Sequence, residues 1–234
     1  MSMEPMTHRT PASQPRACGV ARFSLSAALA LASLSAAAAE PSAESVALAR
    51  DYVVSARFVD LLDGIVNRFA SEANVATDPK DLEMKRRVVR DMSREVMADS
   101  LARSLAADTP VAVLRDGVAH AKSDIGRIEF GCLADMAKGP EGYPACLESK
   151  TDEDQRSRIL AHSQTESGVA LMTKVLESDA IVDALNASTR DLVARDPEVA
   201  AQLADYCERK PDEGMCGYRA EAAAETGGKS DERR

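Results

Sequence analysis

Residues 42–73 read SAESVALARDYVVSARFVDLLDGIVNRFASEA. Within them Val46, Ala49, Val53, Ala56, Val59, Leu62, Val66, Phe69 and Ala73 recur at steps of three and four, which gathers them on one face of a helix. Such a face must be buried against partners of the same kind. The following sequence supplies them. Asp78-Pro79 is a helix start, with an aspartate able to cap free amides and a proline tolerated at the first helical position. From there Leu82, Val89, Met92, Val96, Leu101 and Leu105 predict a second helix to about Ala107. Thr109-Pro110 repeats the start, and Val111, Leu114, Val118, Ala121, Ile125, Ile128, Cys132 and Met136 predict a third, closed by Gly139-Pro140.

Residues 139–150 carry turn residues and are expected to form an exposed loop. Thr151, followed by Asp152, Glu153 and Asp154, reads as the cap of the next helix, with acids where they complement the helix dipole. Apolar spacing continues through Ile159, Leu160, Val169, Met172, Val175, Ile181, Leu185 and Leu192, with breaks near Thr165 and Ser178. Asp196-Pro197 opens a last helix with Val199, Leu203 and Tyr206 inward. No run of alternating β-branched residues is long enough for a strand. The expected fold is all-α: about six or seven amphipathic helices in one bundle-like domain, with a short helical repeat and two disulfides.

Upstream, His8, Arg9, Arg16 and Arg22 precede an uncharged run from Phe23 to Ala39, FSLSAALALASLSAAAA, ending in small residues. A basic region, an apolar run and a small-residue end form a secretory leader, with cleavage expected after Ala39. The run is shorter and poorer in Leu and Ile than the roughly 20 apolar residues of a membrane span. The predicted organisation is a signal peptide at 1–39, a helical domain at 40–218 and a disordered tail at 219–234. The tail, RAEAAAETGGKSDERR, has no large apolar side chain. The expected destination is the periplasm or the outside of a bacterial cell, with no membrane span in the mature chain.

Cleavage removes Cys18 and leaves Cys132, Cys146, Cys207 and Cys216. An even count in an exported chain implies disulfides. Four cysteines allow three connectivities, of which the local pairing Cys132–Cys146 and Cys207–Cys216 is favoured because each pair spans a short segment bearing Pro and Gly. No CxxC motif offers zinc-site spacing.

Across 234 residues, 38 acids stand against 29 bases, and only 3% of residues are aromatic, with no Trp. That balance disfavours nucleic acid, which needs clustered bases and stacking rings. The one local basic cluster is Lys85-Arg86-Arg87 with Arg90 and Arg94, beside Met84, Met92 and Met97. It reads either as a surface for an anionic partner or as a solvated face paired with Glu83, Asp91 and Glu95.

The chain also repeats itself. Ala119-His120-Ala121-Lys122-Ser123-Asp124-Ile125-Gly126 and Ala161-His162-Ser163-Gln164-Thr165-Glu166-Ser167-Gly168 share Ala-His-x-x-[Ser/Thr]-[Asp/Glu]-x-Gly. These are the two histidines of the mature chain. Read as a helix break, Ser123 and Thr165 are N-caps followed by an acid. Read as continuous helix, the motif stacks His120 over Asp124 and His162 over Glu166, two pairs that together offer ligands for one divalent metal.

Thr109-Pro110 leading to Ser123-x-x-Gly126, and again Thr165-x-x-Gly168, resembles a family of exported bacterial all-helical domains of unknown function that carry a Phe-Tyr-x-Ser-Pro-x-Gly element. Here His120-Ala121 and His162-Ser163 stand in place of the aromatic pair, and Asp124 and Glu166 in place of the proline. The resemblance spans about residues 42–195 and implies a helical fold and export, with no activity, cofactor or site residue to carry over.

No GxSxG elbow, Walker loop, EF-hand loop or SxxK motif is present. The expected role is binding without a catalytic centre or cofactor, through a groove lined by Leu, Val and Met that takes an unidentified protein or peptide. The second predicted helix is the preferred surface, with Arg86 and Arg90 at its charged edge. The alternatives are a metal-dependent enzyme or metal carrier built on His120, Asp124, His162 and Glu166, and a periplasmic holdase drawing on the nine methionines.

Overall fold

Ser42 begins the first helix by accepting a hydrogen bond from the Ser45 amide through its hydroxyl, as a capping serine does. The computed structural model describes residues 40–71, 78–139 and 141–219. The leader, the end of the first predicted helix near Asn74, Pro140 and the tail beyond Arg219 lie outside them. The described residues hold eleven α-helices: α1 Ala43–Ser55, α2 Phe58–Ser71, α3 Pro79–Asp91, α4 Arg94–Asp108, α5 Val111–Lys122, α6 Asp124–Leu133, α7 Gly142–Lys150, α8 Glu153–Ser163, α9 Glu166–Leu176, α10 Ser178–Arg195 and α11 Pro197–Arg209. Short 3₁₀ turns follow α6 (Ala134–Lys138) and α11 (Gly214–Cys216), and no strand occurs among the described residues.

The all-α class agrees with the apolar spacing, but the helices are shorter and more numerous than the six or seven expected. Three predicted helices are each cut in two. The first breaks at Ala56-Arg57, where Arg57 has φ 56° and its guanidinium bonds Asp60 at 2.6 Å. The second breaks at Met92-Ser93, and α10 holds the break: Ser188 Oγ donates to the Ser93 carbonyl at 3.1 Å, and Arg195 donates to the Asp91 carbonyl. The third breaks at Ser123. Residues 142–150, expected as a loop, form α7 instead, because Pro144 sits in the first turn, where a missing N–H costs nothing. The next cap is Asp152 rather than Thr151, in a reciprocal capping box with Gln155. The Thr109 hydroxyl, part of a predicted start, is buried without a hydrogen-bond partner.

Packing forms two apolar clusters. In the larger, α1 lies against α4 and α5, α10 against α4, and α9 against α5, burying Ala49, Val53, Leu101, Leu114 and Leu171. Tyr52, Phe58 and Phe130 form a ring cluster there, with centroids 5.5 to 6.0 Å apart. The smaller cluster packs Met84 and Val88 of α3 against Val199, Leu203 and Tyr206 of α11. Met92 touches both. The sulfurs of Cys132 and Cys146 are 2.09 Å apart and those of Cys207 and Cys216 1.98 Å, so both local pairs sit at disulfide distance. No helix among the described residues is long and apolar enough to cross a membrane.

Candidate functional site

The repeated motif builds two helix corners, α5–α6 and α8–α9. In the first, Ser123 Oγ accepts from the Gly126 amide at 3.0 Å while the Ser123 amide donates to the His120 carbonyl at 2.9 Å. In the second, Thr165 Oγ1 accepts from the Gly168 amide at 3.0 Å and the Thr165 amide donates to the His162 carbonyl at 2.9 Å. The glycines have a steric reason. A Cβ at Gly126 would lie 1.9 Å from the His120 carbonyl oxygen, and one at Gly168 would lie 2.3 Å from that of His162. The motif is therefore a break used twice, and Asp124 and Glu166 stand in first turns, where the helix dipole favours acids.

The corners pack crosswise, α5 on α9 and α6 on α8, as a two-fold axis would arrange them. That brings the histidines face to face. Their imidazole centroids are 3.3 Å apart and the ring planes 11° from parallel. His120 Nε2 lies 2.6 Å from Glu129 Oε2, and the Glu129 side chain is only 6% exposed. A carboxylate accepts hydrogen bonds, so the imidazole tautomer that fits this contact carries its hydrogen on Nε2. Phe130 meets the His120 ring at 5.9 Å in a T-shaped contact.

Glu129 marks this interior electrically. Burial, and then the Glu129 charge, push the Tyr143 phenol up to about 12, and the same two causes raise Tyr52. His162 is held below its ordinary value by burial and by the neighbouring His120, against the pull of Glu129 and Asp116. Asp116 itself accepts from Ser167 Oγ at 3.2 Å.

Of the four residues read as metal ligands, the structure joins only the imidazoles. Asp124 is exposed and bonds Arg127 at 2.5 Å; Glu166 is exposed. An imidazole lone pair lies in the ring plane, so stacked rings keep theirs in two nearly parallel planes rather than bringing them to one point. No group of three or more His, Cys, Asp and Glu among the described residues is arranged to hold a metal ion. Glu129 was not legible in the sequence as the partner of His120. It lies beyond the motif, and no spacing signal singles it out.

The basic cluster is largely ion-paired. Lys85 pairs with Glu213, Arg87 with Asp196 and Glu198, Arg90 with Asp91, and Arg94 with Asp60 and Asp63, while Arg86 is exposed. Met84 and Met97 are buried in the two clusters, and Met92 is half-buried.

Two clefts flank α3. One, of about 630 Å³ between α3 and α11, is walled by charged groups already engaged with one another, such as Arg209 with Asp81 and Asp205. The other, of about 410 Å³, lies among α2, α3, α10 and the turn Gly214–Cys216. Val66, Val89, Met92, Leu185 and Met215 give it an apolar wall, with Lys85, Glu213, Asn186 and Thr189 as polar groups. The chain matches no family profile, no curated protein and no solved structure.

Proposed function

We propose that the protein is an exported helical binding module that takes an amphipathic ligand, an apolar body with one polar end, in the cleft among α2, α3, α10 and the Gly214–Cys216 turn. The observation that carries this reading is the cleft itself. Its volume of about 410 Å³ falls within the usual range for ligand sites, and its wall joins Leu, Val and Met to a few polar groups. The neighbouring cleft is a poorer candidate because charged side chains make up most of its wall, whereas Lys85 and Glu213, themselves an ion pair, are the charged groups on this one. Export is supported by the leader pattern and by two cysteine pairs at disulfide distance.

N-phenyl-1-naphthylamine, an apolar fluorescent probe, tests the cleft. The protein should enhance its emission saturably, and Val66→Trp, which fills the cleft from α2, should abolish the enhancement with the helical circular dichroism unchanged. Equal binding by the Trp variant would refute the site. Mass spectrometry of the protein from a cell envelope extract tests export: a chain beginning at Glu40 supports it, and a full-length cytoplasmic species refutes it.

A further inference from the structure

The helix α8 is secured differently from its neighbours. It packs on α6 and α9, and Ile159 is the one side chain it buries. Its other inward group is His162, whose ring lies flat on His120. Beneath His120 stands Glu129, a buried carboxylate whose bonded partner is the His120 ring. A proton added to His162 places a charge in a partly buried site, flat against the ring of His120, whose Nε2 already engages the one carboxylate beneath it.

We propose that α8 is an acid-released strap over the buried His120–Glu129 pair, held by the imidazole stack at neutral pH and loosened when His162 takes a proton. The groups that act on His162 are His120 and Asp116 from α5 and Glu129 from α6, and Glu129 acts in turn on Tyr143 of α7 and Tyr52 of α1. Both tyrosines stay neutral throughout the range concerned. The acids oppose the effect, but His162 still sits below its ordinary value because burial and His120 outweigh them.

The sign follows from linkage. A histidine whose value in the folded state lies below that in the open state binds its proton more readily once open. The closed state is therefore fully favoured above about pH 6.5, the ordinary histidine value, and loses ground as the pH falls toward the depressed value of His162. One proton allows the open population to rise by at most about tenfold per pH unit. Opening removes the ring that covers His120 and uncovers the His120–Glu129 pair. A helix of eleven residues without tertiary contacts is marginal in water, so a released α8 frays and its amides exchange.

Hydrogen exchange read by mass spectrometry on the full chain tests this, with rates corrected for the intrinsic pH dependence of exchange. Between pH 7.5 and 5, amides of residues 153–163 should lose protection while those of α1 and α4 keep theirs. The loss should vanish in His162→Gln and in the gentler His162→Asn. NMR titration of the imidazoles should place His162 below 6.5. An equal loss in both variants, unchanged protection in the parent, or a His162 titrating at or above its ordinary value would each overturn the proposal.

Discussion

Gly126 and Gly168 carry a constraint that no other residue type meets, since a methyl group at either position runs into a histidine carbonyl oxygen rather than a movable side chain. Gly126→Ala and Gly168→Ala should each destabilise the protein by about 1–3 kcal/mol in urea unfolding, through displacement of backbone. Gly131 is the control. Nothing stands within 4 Å of its notional Cβ inside α6, so Gly131→Ala should stabilise by about 0.5–1 kcal/mol through helix propensity. Arg57 is the opposite case, a side chain held at φ 56°. Arg57→Gly should gain up to about 1 kcal/mol, because the left-handed conformation costs a residue with a Cβ that much and more, while the exposed pair with Asp60 returns little. An unchanged urea midpoint would show that the turn between α1 and α2 relaxes around the arginine.

The elements depend on ties between short helices more than on helix length. Cys132 of α6 and Cys146 of α7 sit at disulfide distance across 14 residues, and closing that bond should contribute about 3 kcal/mol by restricting the unfolded chain. The Cys132→Ser/Cys146→Ser variant should lose most of that in urea, and unreduced peptide maps of the parent should join Cys132 to Cys146 and Cys207 to Cys216. Between α3 and α11 the tie is ionic. Asp81, 3% exposed, accepts from Arg209 at 2.9 Å and lies 3.4 Å from Lys210. The Arg209 hydrogen bond and the nearby Lys210 hold its carboxyl below the usual range against the cost of burial. A depressed carboxylate contributes stability that is present above about pH 4 and lost as the pH falls through its folded value. Asp81→Asn should therefore lower stability at neutral pH and flatten the fall in thermal midpoint below about pH 4; a parallel fall in parent and variant would remove Asp81 from the account.

At the scale of the molecule, two apolar clusters share a wall. Met92 packs into both, and α10 carries Ala184 into the larger and Leu192 into the smaller. Clusters joined in this way should melt together. Calorimetry should show one transition with equal calorimetric and van't Hoff enthalpies, whereas two resolved peaks would mean that α3 and α11 unfold as a separate unit. A ligand filling the 410 Å³ cleft touches α2, α3 and α10 and should raise the midpoint of that single transition.

The apolar spacing in the sequence was enough to determine that the chain is helical, because a face of Val, Leu and Ala at steps of three and four has no other way to leave water. It also marked the starts at Asp78-Pro79 and Asp196-Pro197, the local cysteine pairs and the twice-used motif, since caps, short loops and repeats are encoded within about ten residues. The breaks at Arg57 and Ser93 were beyond its reach. Ser93 does cap α4, but Arg57 carries no breaking residue type, and the Met92-Ser93 bend is held by Ser188 and Arg195 from α10, about a hundred positions away. The histidine stack shows the same division. The motif set each imidazole at the end of a helix, but only the crosswise packing of the two corners laid one ring on the other, and only that packing put Glu129 beneath them. Contacts between segments far apart in the chain depend on how whole helices pack, and no local pattern contains that information.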